Sequence, residues 1–379
     1  MADKDSLKLL SHTTLTPYDV LGYVTPGAAV LIAVLGFETG IQITATGLLH
    51  VHTPVYTGVV FILSLLRGTE WVLSALLLIA ALATVYLVGH VVASISALCI
   101  DRMYVERSHG YPFELLLGLP SNAFRNPYTK PFARALFFWA NAYIALRYWA
   151  TVQDVFDHAT AATSLVLLVA RTVGWAVVAL ILMKFVVSVP YGRGRTWLAW
   201  PLEKTPLGRG SVRVLGGIIK LAAVPYDLIV NPLGGYLHTR EPFDESFRNH
   251  YEAAFKRLFD MNPTAVGTNN FWFSLIHLKE QSPQLAELAE NWLRLYGFAR
   301  NLGAALYLAF LYCLVWLIAQ GQYLGGLPGY NVLVLMTVPP LFFVGALAML
   351  IRYYYLYVDY YSKYVFRCFV YLSRIAKTA

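Results

Sequence analysis

Hydrophobic positions fall in long blocks separated by stretches of a different rhythm. Residues 20–37, 71–98, 165–187, 302–319 and 332–351 are apolar over about the 20 residues that a helix needs to cross a bilayer. A sixth block, 132–150, is interrupted by Arg134, Asn141 and Arg147. Elsewhere the period is that of a surface helix. Over 243–260, Phe243, Phe247, Tyr251, Phe255 and Leu258 share one face, while Asp244–Arg248 and Glu252–Lys256 are i,i+4 pairs on the other. A second such helix starts at Ser282, with Pro283 in its first position. There Leu285, Leu288, Trp292 and Leu295 form the apolar face, and Glu290 can pair with Arg294. The last block runs on into 352–379 without Gly or Pro. That continuation carries one stripe of Tyr353, Tyr357, Tyr360, Tyr364 and Tyr371 and another of Arg352, Asp359, Lys363, Arg367 and Arg374.

Composition turns this pattern into a fold class. Of 379 residues, 58% are hydrophobic and 13% charged, against roughly 45–50% and 25% in soluble domains. A disordered chain is excluded, and an ordinary soluble enzyme is disfavoured. The net charge of +8 would suggest nucleic acid in a soluble protein, but in a membrane protein the position of each charge matters more. With six spans and the N-terminus inside, the outer loops 38–70, 151–164 and 320–331 hold a single basic residue, Arg67. The inner segments 1–19, 99–131, 188–301 and 352–379 hold 24 Lys and Arg. That asymmetry selects six spans with both termini cytoplasmic.

We therefore expect an all-α polytopic membrane protein of about six transmembrane helices with a helical cytoplasmic module. Residues 1–187 form a transmembrane region with spans near 20–37, 71–98, 132–150 and 165–187. Residues 188–301 form the basic amphipathic module, 302–351 two more spans, and 352–379 a cytoplasmic Tyr-rich helix. Asp19 is placed to cap the first span, and Pro26–Gly27 should kink it. The outer segment 53–70 is too apolar for a free loop and reads as an interfacial helix or partial re-entry. The segment 99–131, with Pro112, Pro120, Pro127 and Pro131, reads as an irregular connector. Residues 214–237, interrupted by Pro225 and Pro232, read as a broken apolar stretch lying against the membrane. Cys99, Cys313 and Cys368 are not placed for an exported disulfide. The mixed-charge N-terminus reads as retained and not as a signal peptide.

Chemistry-bearing residues are few. His90 lies deep in the second span. It reads as a hydrogen-bonded partner of a neighbouring helix in preference to a relay or ligand, because no other span holds a histidine. Arg171 lies about two turns into its span, where it can line a pore, hold an anionic headgroup or snorkel outward. The spans contain no acidic residue apart from Glu38 at an outer edge, which disfavours an ion-coupled transporter. His250-x-Glu252, with Asp244, Glu245 and His238 nearby, lacks metal-ligand spacing. His50-x-His52 supplies two ligands without a third. Neither assigns a metal, no cofactor motif is present, and no spacing identifies a nucleophile. The Gly/Arg turns Gly192-Arg-Gly-Arg195 and Gly208-Arg-Gly210 lie beside Trp197 and Trp200. Arg193, Arg195, Arg209 and Arg213 are accordingly read as contacts to anionic lipid headgroups and not to nucleic acid.

PYDVLGYVTPG (17–27), GHVVASISALCIDR (89–102) and GYPFELLLG (110–118), with Arg300–Asn301 at the start of a later span, resemble a group of bacterial multi-pass inner-membrane proteins. Some of that group come from defence-associated gene neighbourhoods. The resemblance implies a bacterial plasma membrane and supplies no catalytic residue. The expected role is a membrane anchor, sensor or effector acting through a partner or a homo-oligomer. The tyrosine stripe serves as a contact surface, either between subunits or against the helices at 243–260 and 282–296. The alternatives are a channel or transporter, favoured by Arg171 and the outer segment, and a lipid-modifying enzyme, favoured by His90 and the Gly/Arg turns.

Overall fold

The computed structural model describes residues 19–44, 53–67, 71–119, 128–155, 168–169, 171–181, 206–235, 242–263, 267–320 and 329–378. Every regular element among them is helical. In chain order they are α1 (Thr25–Thr44), α2 (Pro54–Arg67), α3 (Trp71–Ser96), α4 (Pro112–Leu116), α5 (Thr129–Val155), α6 (Arg171–Ile181), α7 (Pro206–Gly235), α8 (Glu245–Phe259), α9 (Gly267–Gln281), α10 (Pro283–Gln320), α11 (Gly329–Tyr355) and α12 (Lys363–Thr378). Wider π-helical turns occupy Val20–Val24, Ala97–Glu106 and Leu356–Ser362.

Four helical runs are long and apolar enough to cross a membrane: Val20–Ile41, Ser74–Glu106, Pro283–Ala319 and Met336–Ile375. They coincide with four of the six expected blocks. The block at 132–150 forms α5, which is not among the four. The block at 165–187 is described only around α6, and its remainder lies outside the described residues. The chain divides into two compact units, Met1–Ser96 with Arg294–Tyr353 and Ala97–Leu293 with Tyr354–Ala379.

The first unit is organised by a close crossing of α1 and α3. A Cβ built on Gly27 would collide with the Val85 carbonyl oxygen, and one on Gly89 with the Tyr23 carbonyl oxygen. Glycine at both positions lets the two backbones touch, the small-residue packing that joins helices where water supplies no hydrophobic drive. Asp19 takes helical backbone angles, and its carboxylate does not cap the first turn. The helix α2 is too short to cross at about 21 Å. It leaves Phe61 and Leu63 exposed.

In the second unit, α5, α6 and α7 share a core of Phe132, Ala135, Leu180, Ile219 and Ala223. The expected break at Pro225 does not occur, and α7 is one helix of 30 residues. Proline there removes the N–H that would serve the Leu221 carbonyl. The disturbed turn is supported from α5, where Trp139 Nε1 donates to the Ala222 carbonyl at 2.9 Å. A second core is aromatic. Tyr251 and Phe255 of α8, Phe271 of α9, and Phe366 and Phe369 of α12 are buried together. Asp244, read from the sequence as a partner of Arg248, lies one residue before α8 and caps it by accepting the Phe247 N–H at 2.6 Å. Glu290, expected to pair along its own helix, is bridged by Lys279 of α9 at 2.8 Å.

Two boundaries differ from the sequence reading. The amphipathic helix at 282–296 and the apolar block at 302–319 are a single helix of 38 residues, α10, because no proline intervenes and Gly297 and Gly303 are tolerated inside it. The tyrosine stripe also changes phase. Around Leu356–Ser362 the hydrogen bonds run i→i+5: Lys363 N–H donates to the Val358 carbonyl, and Ser362 Oγ donates to the Tyr357 carbonyl. Each such turn takes one extra residue. Beyond it Val365, Phe366 and Phe369 are among the buried positions, while Tyr371 turns outward at 59% exposure. Tyr353 and Tyr357 are buried within the chain. Tyr360 packs on Trp292 with ring centroids 4.5 Å apart, and Tyr364 is half-buried.

Candidate functional site

Among the described residues, two buried polar constellations join elements far apart in sequence, one in each unit. In the first, proline chemistry creates the need for it. Pro26 has no N–H to offer the carbonyl of Gly22, four residues earlier. That carbonyl instead accepts Asn301 Nδ2 from α10 at 2.7 Å. The Asn301 Oδ1 accepts Ser96 Oγ of α3 at 2.6 Å and Arg300 Nε at 3.1 Å. Asn301 and Ser96 are both buried, so one amide ties three helices together. Close by, His90 lies between tyrosine rings, stacked on Tyr23 at 3.9 Å and edge-on to Tyr86 at 4.5 Å. The three stretches 17–27, 89–102 and Arg300–Asn301 therefore meet here through Gly22, Gly27, Gly89, Ser96 and Asn301.

Glu38 is also buried in this unit. Its Oε2 accepts the Tyr56 N–H at 2.6 Å, capping the N-terminus of α2, and its Oε1 accepts the Tyr312 hydroxyl. A carboxylate at a helix N-terminus meets unsatisfied N–H groups and the positive end of the dipole. Glu38 is thus engaged as a cap.

The second constellation gathers residues far apart in sequence. The helical run that continues past the π turns at Ala97–Glu106 is closed at Gly110, whose positive φ of 88° suits a helix terminator. Its N–H returns to the Val105 carbonyl at 3.1 Å. This turn places His109 beside α7. Tyr226 OH lies 3.0 Å from His109 Nε2 and 2.6 Å from Tyr104 OH. Arg134 of α5 binds Asp227 of α7 at 2.6 Å and donates from Nε to the Ser108 carbonyl at 3.2 Å. Its guanidinium also sits 5.6 Å from the centre of the Tyr226 ring. Tyr104 stacks on Phe137 at 4.1 Å. Tyr111 OH donates to Glu106 at 2.8 Å; burial, reinforced by that carboxylate, pushes the Tyr111 hydroxyl above its ordinary pKa. Chemically this is a chain of two phenols and one imidazole beside an ion pair. It can fasten helices or relay a proton, and it presents no activated nucleophile.

The sequence readings of single residues place differently. His250 is exposed and its Nδ1 lies 2.6 Å from the Ser246 carbonyl of its own helix, and no group of three metal-ligating residues occurs among the described residues. His50, His52, His238, Arg193 and Arg195 lie outside the described residues. Arg209 lies in α7. Arg213 is exposed on α7, and Arg171 is exposed at the start of α6. Cys99, Cys313 and Cys368 are free thiols. Sequence reasoning passed over His109, Tyr226 and Asp227. The available signal was the repeated PYD of 17–19 and 225–227, whose second copy supplies two of the three. No family model, no curated protein and no solved structure matches this chain.

Proposed function

We propose that this chain is a six-span protein of a bacterial inner membrane with both termini cytoplasmic. It acts as a membrane-anchored sensor or effector, with its helical module working on a partner or on further copies of itself. One observation carries the reading: the apolar run Met336–Ile375 is helical throughout, and its last part is built into the aromatic core with α8 and α9. One stretch of chain thereby supplies both an apolar run and part of the aromatic core of the module, which suits a module anchored at a membrane. The excess of basic residues in 188–301 supports its cytoplasmic side, and the resemblance in the first third supports a role in bacterial defence or stress response. Glu38 acts as a cap and Asn301 as a helix fastener, which speaks for an anchor over a transport path.

The test has two arms. A cysteine at position 204, on a background lacking the three native cysteines, should resist an impermeant thiol reagent in intact cells. The purified protein in proteoliposomes should hold an imposed ion gradient. Labelling at 204 would overturn the topology, and rapid loss of the gradient would replace the anchor with a channel.

A further inference from the structure

Among the described residues, the helix α7 buries one apolar face and leaves a second exposed. Gly216, Ile219, Ala223 and Tyr226 are buried, and Ile219 and Ala223 belong to the core shared with α5 and α6. At 100° per residue these positions cluster on one side. Val214, Ile218, Leu221, Val224 and Leu228 cluster on the opposite side, and all are exposed, Leu221 at 72%. The flank between the faces carries Arg213, Lys220 and Asp227, spaced seven apart. Asp227 is engaged by Arg134. Arg213 and Lys220 are exposed, and the Lys220 ammonium reaches back over the Tyr128 ring at 5.8 Å. The neighbouring α6 repeats the pattern, with Leu180 in the core and Trp175, Val178 and Ile181 facing outward.

An apolar stripe five residues long on one helix is not stable against water. A partner protein and a lipid surface make different demands on the flank. A bilayer takes the apolar stripe among its acyl chains and the basic flank among anionic headgroups, with long cationic side chains snorkelling outward. With two exposed cations on the flank and its acid already paired, the charge matches the second case. We propose that the outer face of α7 is a lipid-contact surface, seated in anionic bilayer through Val214, Ile218, Leu221 and Leu228 and held at the headgroups by Arg213 and Lys220. This rests on the reading of the chain as a membrane protein, and assigns the module its own contact with the bilayer in addition to the four apolar runs.

The experiment uses the full chain with its native cysteines replaced, reconstituted in vesicles of phosphatidylcholine with about one third phosphatidylglycerol. A nitroxide is attached at L221C, and in a separate sample at I32C, which is exposed on the run Val20–Ile41. Collision rates are measured with oxygen, which concentrates in lipid, and with a water-soluble nickel chelate. The proposal expects both sites to favour oxygen. The paired substitution R213Q/K220Q should raise nickel access at 221 several-fold and leave position 32 unchanged. Oxygen preference at 32 with nickel access at 221 overturns the lipid-contact surface and leaves the membrane reading intact. Nickel access at both sites overturns both. Shielding of 221 from both reagents means that a second copy or another protein covers the stripe, and also overturns the proposal.

Discussion

The bond between Asn301 and Gly22 exists because Pro26 withholds a hydrogen, so the energetic worth of Asn301 should depend on Pro26. Asn301→Ala removes the donor to the Gly22 carbonyl and the acceptor for Ser96, both in a buried site. Leaving a buried polar group unsatisfied costs about 1–3 kcal/mol, and single interhelical hydrogen bonds in membrane proteins measure about 0.6 and at most about 1.7 kcal/mol. We expect a loss of about 1–3 kcal/mol for Asn301→Ala. Pro26→Ala restores an N–H four residues after Gly22, so the carbonyl can be served within its own helix. In that background Asn301→Ala should cost about 1 kcal/mol less. The assay is a double-mutant cycle on the purified protein, unfolded by sodium dodecyl sulfate in mixed micelles. Exposure of the buried Cys313 thiol to a fluorogenic reagent provides an independent readout. Additivity of the two substitutions within about 0.3 kcal/mol would refute the reasoning, since the two residues would then not be solving one problem.

At the helix crossing, Gly89→Leu must displace the Tyr23 backbone and should destabilise the first unit by about 1–3 kcal/mol or more, seen as a lowered thermal midpoint in detergent. Gly36→Leu, where an added Cβ meets nothing within 4 Å, serves as the control that should not change it. Arg134→Met and Asp227→Leu each leave one partner of a 2.6 Å ion pair behind, with side-chain exposures of 12% and 42%. Each should cost about 1–3 kcal/mol, and the double variant should be more stable than their sum implies; simple additivity in a thermal-shift cycle would count against the pair. His277 is buried against Phe259 and Phe369, and that burial lowers its pKa below the ordinary 6.5. The unfolded chain therefore binds the proton more readily. The contribution to stability is complete above about pH 6.5 and is lost as pH falls toward the folded-state value. His277→Phe should flatten the fall in thermal midpoint between pH 7.5 and 5.5, and an unchanged slope would exclude His277 as its source.

What could be read without the fold was whatever is written within a few residues. The apolar blocks at 20–37, 71–98, 302–319 and 332–351 follow from local apolar content, and a long helical run passes through each. The start of α10 follows from Pro283 in the first turn, whereas Asp244, read as a partner of Arg248, turned out to cap α8. Tertiary structure decided the rest, because the deciding contacts join residues far apart in the chain. Tyr226 is 117 positions from His109, and Asn301 is 279 positions from Gly22; no helical period reports such a pair. Pro225 was read as a breaker because proline disrupts an isolated helix, yet α7 continues through it with support from Trp139 on another helix. The π turns at Leu356–Ser362 carry no composition signal, and their extra residue per turn is what carries Tyr371 from the buried stripe to the surface. Helical spacing predicts which side chains share a face only while the hydrogen-bond ladder keeps its i→i+4 step, and at Leu356–Ser362 that step widens to i→i+5.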